Sequence, residues 1–258
     1  MRYAILSVVL VCCSAARAEV VTKSIDYKHG NVQLQGYLAY DDAIQGKRPG
    51  VLLVHEWWGL NDYAKGRARQ LAELGYVAFA LDMYGKDVIA KDREEAAKKS
   101  AEFKGKPIIR ERAKAGYDVL AKQELVDKSK LAAIGYCFGG TTVLELGYSG
   151  ADLVGVVTFH GGLVAPKPGD KLKAKILALH GADDPFVPAA AVDEFEKGMR
   201  EANADWQLVV YGDAVHTFTN PKAGSDKSSG SAYNATADRR SWQAMKTFFG
   251  EVLDGKER

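Results

Sequence analysis

The feature that most constrains the fold is a repeated alternation of short apolar segments with longer amphipathic segments. The apolar runs have the length of buried strands, and the segments between them have the periodicity of helices that cover a sheet. Strands are predicted at residues 50–55, 77–81, 131–136, 153–159, 175–180 and 207–211. Helices are predicted at residues 62–74, 88–104, 107–122, 139–146, 188–201 and 234–253. This order predicts a single-domain α/β fold with a mostly parallel central sheet flanked by helices.

Two segments depart from this alternation. Residues 24–40 form two polar, alternating stretches around Gly30 and Asn31, which predicts an antiparallel hairpin at the sheet edge. Residues 224–231 are rich in Gly and Ser, which predicts a surface loop. Neither segment has the character of a linker, so we expect residues 19–258 to form one domain.

The first 18 residues have the pattern of a secretory signal peptide. Arg2 supplies a positive start, residues 3–13 are apolar apart from Ser7, and residues 16–18 (Ala-Arg-Ala) place small side chains where signal peptidase reads them. The apolar run is far shorter than the roughly 20 residues of a spanning helix. We therefore expect cleavage after Ala18, export to a periplasm or the extracellular space, and no membrane span.

Charge and cysteine content narrow the classes of function. The 35 Lys and Arg residues are balanced by 33 Asp and Glu residues without a basic run, which argues against a nucleic-acid partner. Cys12 and Cys13 lie in the predicted leader, so Cys137 has no partner for a disulfide within the exported chain. The five histidines lack the spacing and cysteine partners of a zinc site, so we expect no metal ion. We also expect no organic cofactor.

The residues around Cys137 indicate a nucleophile. A predicted strand is joined to a predicted helix by residues 135–140, Gly-Tyr-Cys-Phe-Gly-Gly. Such a sharp turn brings backbone segments so close that glycine is needed two positions before and two positions after its centre. The thiol would then lie at a helix N-terminus, where the dipole and free N–H groups favour a thiolate and an oxyanion. A tight turn without catalytic function is the alternative.

A thiol nucleophile needs a base and an acid that orients the base. Asp183 and Asp184 lie in the loop after the fifth predicted strand, and His216 lies in the loop after the sixth. In this kind of fold the acid and then the histidine follow the nucleophile, each after a later strand. His216 would take the proton from Cys137, and an aspartate would fix its tautomer. The order of the residues alone leaves both aspartates open.

Several separated segments resemble the dienelactone hydrolase family of the α/β-hydrolase fold. They are residues 55–61 (His-Glu-Trp-Trp-Gly-Leu-Asn), 81–84 (Leu-Asp-Met-Tyr), 135–140, 181–188 and 214–218. They occur in the family's order and span essentially the whole chain after the leader. The resemblance implies an α/β-hydrolase fold without a large lid.

By this resemblance, Cys137 is the nucleophile, His216 is the base and Asp184 is the acid, with Asp183 as the alternative acid. Glu56 corresponds to a family glutamate that contacts the thiol and helps to make it a thiolate when substrate arrives. Until then, a carboxylate beside the thiol would oppose its ionisation and limit its oxidation. Such protection would matter in an oxidising compartment.

The resemblance also implies an oxyanion hole, in which the backbone N–H groups of Trp57 and Phe138 would bind the oxyanion. The aromatic character of Trp57, Trp58 and Tyr84 predicts that they line an apolar pocket for a small cyclic or aromatic-like substrate. For Trp58, packing of the loop against the core is the alternative. The sequence departs from the best-known members at Asn220, where those enzymes have an arginine that helps to hold the substrate carboxylate.

These features predict a hydrolase that opens a small lactone or ester through a thioester on Cys137, followed by attack of water activated by His216. A carboxylesterase or thioesterase that acts on acyclic substrates is the alternative with the same triad. A non-catalytic domain that binds a ligand or senses oxidation through Cys137 is the alternative from another class. The expected partner is a small-molecule lactone or ester, and we expect a monomer.

Overall fold

A computed structural model describes residues 19–255, so the predicted leader lies outside the described residues. The strands are β1 (Val20–His29), β2 (Val32–Asp41), β3 (Arg48–Val54), β4 (Val77–Leu81), β5 (Val126–Tyr136), β6 (Gly155–Phe159), β7 (Lys175–Gly181) and β8 (Trp206–Tyr211). The helices are α1 (Asp62–Glu73), α2 (Arg93–Ala101), α3 (Ile108–Ala121), α4 (Phe138–Tyr148), α5 (Ala189–Glu201) and α6 (Ala235–Val252).

The strands form one eight-stranded sheet in the order β1-β2-β4-β3-β5-β6-β7-β8. β1 and β2 pair as an antiparallel hairpin at one edge, and β2 pairs antiparallel with β4. From β4 to β8 all neighbouring strands are parallel. The predicted edge hairpin and the predicted mostly parallel sheet are therefore confirmed.

Burial on both faces of the sheet explains why the central strands have continuous apolar sequences. In β3, Leu52 and Val54 belong to the core that α3, α4 and α5 cover, and Val51 and Leu53 belong to the core beneath α1 and α6. Successive side chains of a strand point to opposite faces, so a strand that is covered on both sides needs apolar residues at every position. The predicted α/β fold class is confirmed.

The helix predicted at residues 88–104 is wrong at both ends, because α2 has only 9 residues. It begins after Asp92, whose side chain accepts a hydrogen bond from the Glu95 N–H at 2.9 Å. The preceding residues form a loop in which the Ala90 N–H donates to the Trp58 carbonyl at 2.9 Å. An N-cap and a backbone contact distant in sequence thus override the charged amphipathic pattern.

The segment at residues 224–231 was predicted to be a surface loop, and most of it is exposed. It contains a short 3₁₀ helix, Lys227–Ser229, and its Gly230 is buried. The Gly230 carbonyl accepts a hydrogen bond from the His216 N–H at 3.1 Å. The segment therefore supports a loop at the carboxyl edge of the sheet.

The parallel strands end at a common edge, and the predicted site residues follow four of these ends. Glu56 lies just after β3, Cys137 directly after β5, Asp184 after β7 and His216 after β8. Loops at this edge are the usual location of ligand sites in open α/β sheets. Within residues 19–255, none of the helices has both the length and the apolar character needed to cross a membrane.

Candidate active site

Cys137 lies at the sharp turn between β5 and α4. Its φ and ψ angles are 54° and −117°, a region that costs a non-glycine residue about 1–3 kcal/mol. The Cys137 N–H donates to the Phe159 carbonyl at 3.0 Å, which fixes the turn against the neighbouring strand β6. Because Cys137 is the N-cap residue of α4, its thiol lies at the positive end of the helix dipole.

Two glycines make this turn possible. A Cβ atom on Gly135 would lie 2.0 Å from the Gly139 carbonyl oxygen, and a Cβ atom on Gly139 would lie 2.2 Å from the Val54 carbonyl oxygen. Both obstacles are backbone atoms, which cannot rotate away as a side chain can. Glycine two residues before and two residues after Cys137 is therefore required by the packing of β3, β5 and α4.

His216 links Cys137 to Asp184. Its Nε2 atom lies 3.0 Å from the Cys137 Sγ atom, and its Nδ1 atom lies 2.7 Å from Asp184 Oδ2. The Asp184 side chain is 0% exposed, and its Oδ1 atom accepts a hydrogen bond from the Phe186 N–H at 2.9 Å. Asp183 is exposed to solvent. The structure thus brings Asp184, and not Asp183, to the histidine.

The charge on His216 depends on its two partners. Burial opposes the charged imidazolium, but Cys137 and Asp184 outweigh this cost and raise the pKa of His216 to about 10. The two partners therefore favour the form of the ring that is protonated on both nitrogen atoms. In that form, Nδ1–H donates to Asp184 and Nε2–H faces the sulfur atom.

The backbone N–H groups of Trp57 and Phe138 are free to bind a ligand oxygen. Neither group donates a hydrogen bond to an acceptor in the part of the chain that the structure describes. Phe138 begins α4, where the first N–H groups have no acceptor within the helix. The peptide after Trp57 is held in place because its carbonyl accepts a hydrogen bond from the Tyr84 hydroxyl at 3.0 Å.

Glu56 makes its hydrogen bond to Asn220. Its Oε2 atom accepts from Asn220 Nδ2 at 2.7 Å, and its buried Oε1 atom has no hydrogen-bond partner within residues 19–255. Burial raises the pKa of Glu56 to about 7, against the opposing effects of Asn220, His216 and Arg67. The thiol contact implied by the family resemblance does not occur as a hydrogen bond to Cys137 in this conformation.

Asn220 was predicted to line the pocket in place of the family's arginine. The structure instead buries it, with 5% of the residue exposed. Its Nδ2 atom donates to Glu56, and its Oδ1 atom accepts from the Lys222 N–H at 3.0 Å. The sequence analysis did not identify this role, because Asn220 and Glu56 lie on distant loops.

The predicted aromatic pocket residues lie around the sharp turn at Cys137. The Tyr84 ring is 5.7 Å from the Phe138 ring, and the half-buried rings of Trp57 and Trp58 meet edge to face at 5.3 Å. The sequence analysis missed Phe186, which is 61% exposed and whose ring lies 5.4 Å from the His216 ring. An aromatic residue in a loop gives no sequence signal for exposure, so nothing distinguished Phe186 from a core residue.

A polar network that the sequence did not predict supports the loop that contains His216, the histidine loop. The Thr219 hydroxyl hydrogen-bonds to the Tyr63 hydroxyl at 2.6 Å and to His160 Nε2 at 2.7 Å. The Arg67 guanidinium donates to the Thr219 carbonyl at 2.8 Å. The His160 ring in turn lies 5.3 Å from the His216 ring, edge to face. These contacts tie the histidine loop to α1 and to the end of β6.

The side chains of this site do not form a metal centre. Across residues 19–255, the structure shows no cluster of three or more His, Cys, Asp or Glu side chains that could hold a metal ion. The groups available for chemistry are a thiol, an imidazolium, two carboxyl groups and two free backbone N–H donors.

Comparisons with known proteins find a matching family, related sequences and similar structures. The model of the "Dienelactone hydrolase family" matches residues 34–253. The "Putative carboxymethylenebutenolidase" of Yersinia pestis is 28% identical over 231 residues, which cover 84% of this chain and 83% of that protein. The solved structure of m3DLH has a TM-score of 0.87 and 42% identity, and covers 91% of this chain and 99% of its own. The structure of a dienelactone hydrolase-like promiscuous phosphotriesterase from metagenomic libraries also has a TM-score of 0.87 and 42% identity. That match covers 92% of this chain and 100% of the phosphotriesterase chain.

Proposed function

Because the chain belongs to the dienelactone hydrolase family, as its motifs predicted, and is a hydrolase of that type, we propose that it cleaves small lactones or esters through a thioester on Cys137. The observation that carries this proposal is the continuous chain of hydrogen bonds from the Cys137 sulfur through His216 to Asp184. The proposed chemistry uses side chains and backbone groups of this chain and needs no cofactor.

In the first half of the reaction, the Cys137 sulfur attacks the carbonyl carbon of the substrate. The carbonyl oxygen becomes an oxyanion, which accepts hydrogen bonds from the N–H groups of Trp57 and Phe138. The tetrahedral intermediate collapses, the C–O bond of the ester breaks, and the leaving oxygen takes the proton from His216 Nε2. A lactone keeps its leaving oxygen tethered to the acyl group.

In the second half, water hydrolyses the thioester. His216, now neutral, accepts a proton from the water at Nε2 while the oxygen of the water attacks the thioester carbon. The C–S bond breaks, which returns the sulfur as a thiolate beside a protonated His216 and releases the carboxylic acid. Asp184 accepts from Nδ1–H throughout, so the ring keeps the orientation that both proton transfers need.

The decisive experiment is steady-state hydrolysis of a dienelactone, a saturated lactone and p-nitrophenyl acetate. Wild-type protein is compared with Cys137→Ala, which lacks the nucleophile, and with Asp183→Asn, which removes an exposed charge next to the proposed acid. We expect activity that disappears with Cys137→Ala and survives Asp183→Asn. The ranking of the substrates distinguishes lactone hydrolysis from the carboxylesterase or thioesterase alternative. Equal rates for wild type and Cys137→Ala on every substrate would overturn the proposal and favour ligand binding or redox sensing.

Phosphotriesters are a second candidate class of substrate. A protein that is 42% identical over 92% of this chain is described as a promiscuous phosphotriesterase. The free N–H donors of Trp57 and Phe138 suit a phosphoryl oxygen as well as a carbonyl oxygen, since both develop negative charge on that atom. A p-nitrophenyl phosphotriester in the same assay tests this, and turnover that needs Cys137 would assign both reactions to one site.

Export is also part of the proposal. It rests on the apolar run and the Ala-Arg-Ala sequence that precede Glu19. The N-terminal sequence of protein isolated outside the cytoplasm should begin at Glu19. Accumulation of the full-length chain in the cytoplasm would overturn this part alone.

A further inference from the structure

The Glu56 carboxyl group is an unusual component of the site because only one of its oxygen atoms is satisfied. The residue is 2% exposed, Oε2 accepts from Asn220 Nδ2 at 2.7 Å, and Oε1 has no hydrogen-bond partner in the described part of the chain. An unpaired buried oxygen of this kind carries a desolvation cost that the fold does not recover. A bound substrate can supply the missing partner of such an atom.

The position of Glu56 places this oxygen next to the reaction. Glu56 lies two residues after the end of β3, and the next residue, Trp57, carries one of the two free N–H donors. Its partner Asn220 lies on the loop of His216, and the charge of His216 acts on the Glu56 carboxyl. A substrate bound at Cys137 is therefore a close neighbour of Glu56.

The cations near Glu56 are already engaged. Arg67, from α1, acts on Glu56 at a distance, but its guanidinium donates to the Thr219 carbonyl and to Asp238. The other titratable groups that interact with Glu56 are His216, which bonds to Asp184, and the buried phenols of Tyr63 and Tyr136.

No Lys or Arg side chain hydrogen-bonds to Cys137, His216, Glu56 or Asn220 within residues 19–255. Asn220 uses one N–H of its amide for Glu56 and its amide oxygen for the Lys222 N–H, so one neutral N–H is left. A neutral amide lacks the charge and the paired donors with which an arginine holds a carboxylate.

We propose that Glu56, held in position by Asn220, is a specificity-determining residue that selects uncharged lactones and esters over substrates with a carboxylate beside the reacting carbonyl. The inference rests on the hydrolysis proposed above for the same site. When Glu56 is ionised, it repels a substrate carboxylate in an environment that screens charge poorly. When Glu56 is protonated, Oε1–H can donate to an uncharged acceptor oxygen of the substrate.

This selection depends on pH in a defined direction. Burial raises the pKa of Glu56 to about 7, so the group is mostly neutral below this value and mostly charged above it. Discrimination against anionic substrates should therefore increase as the pH rises through about 7. Glu56→Gln removes this titration and leaves the other groups of the site in place, so comparing the pH dependence of the two proteins isolates the contribution of Glu56.

The test uses a dienelactone that carries a carboxylate and its methyl ester, which differ in charge at one position. The ratio of kcat/KM for the methyl ester to kcat/KM for the acid is measured from about pH 6 to about pH 8.5, where the acid stays ionised. We expect the wild-type ratio to rise about tenfold across this range, as one poorly screened charge requires. Glu56→Gln, which keeps the shape and removes the charge, should give a flat ratio. Asp183→Asn, which removes an exposed charge, should keep the wild-type rise.

The outcomes separate the two proposals. A wild-type ratio that does not change with pH overturns the selection by Glu56, whatever the variants do. A rise that persists in Glu56→Gln does so too, because the titrating group is then another residue. If wild-type protein hydrolyses neither compound nor any other ester, the proposed function fails, and the inference fails with it.

Discussion

The two halves of the candidate triad are built in opposite ways. The nucleophile turn is local, because residues 135–140 contain both the thiol and the glycines that let β5, α4 and β3 approach. The histidine loop is held by hydrogen bonds from distant segments. The Gly230 carbonyl accepts from the His216 backbone, the Tyr63 hydroxyl pairs with the Thr219 hydroxyl, and Glu56 accepts from Asn220. The position of Cys137 thus follows from a short sequence, whereas the position of His216 depends on the whole fold.

This difference implies different modes of failure. A larger side chain in the nucleophile turn meets backbone that cannot move, so the expected defect is in folding. A lost hydrogen bond behind the histidine loop leaves a buried polar atom without a partner, so the expected defect is a misplaced base in a folded protein. Substitutions on each side can test whether the two halves differ in this way.

Among substitutions that keep the Cys137 thiol, the largest effect on catalysis is expected from Asp184→Asn. The amide keeps the shape of the side chain but cannot stabilise the imidazolium, and it favours the wrong tautomer of His216. We expect kcat to fall by about 10³–10⁴-fold with little change in folding. Asp183→Asn is the matched control and should stay within about twofold of wild type, because the side chain of Asp183 is exposed and His216 hydrogen-bonds to Asp184 instead. Equal losses in the two variants would contradict the assignment of Asp184.

The largest effect on stability is expected from Gly139→Ala. The new Cβ atom would lie 2.2 Å from the Val54 carbonyl oxygen, so β3 and α4 must separate. We expect the free energy of unfolding to fall by about 3 kcal/mol or more. Gly212→Ala is the control on the histidine side, where a Cβ atom meets nothing within 4 Å. Urea denaturation of both variants decides the point, and equal stabilities would show that the turn is not sterically constrained.

A smaller effect is expected from Thr219→Val, which removes the hydroxyl bonded to Tyr63 and His160. The buried partners lose a hydrogen bond, which should lower the free energy of unfolding by about 1–3 kcal/mol. We expect kcat to fall by about tenfold, since a displaced base slows both proton transfers. Circular dichroism and steady-state kinetics on the same sample check both values. A folded variant with wild-type kcat would show that the network does not position His216.

The sequence predicted the elements of the fold and the nucleophile turn because both depend on local patterns. It also predicted the order of the acid and the histidine, while the preference for Asp184 over Asp183 came only from the family resemblance. The hydrogen bond between Glu56 and Asn220 was not predictable, since it joins loops that only the folded sheet brings together. The helix expected at residues 88–104 failed for a related reason, because the contact of Ala90 with Trp58 holds its first residues in a loop.

The most direct test of the proposed thiol chemistry is to trap the acyl-enzyme. Wild-type protein is mixed with p-nitrophenyl acetate, quenched in acid within the first turnover, digested and analysed by mass spectrometry. We expect one acetyl group on the peptide that contains Cys137, formed together with a burst of p-nitrophenol. Turnover without an adduct on Cys137, or an adduct on a different residue that forms at the rate of the burst, would contradict the assignment of Cys137 as the nucleophile.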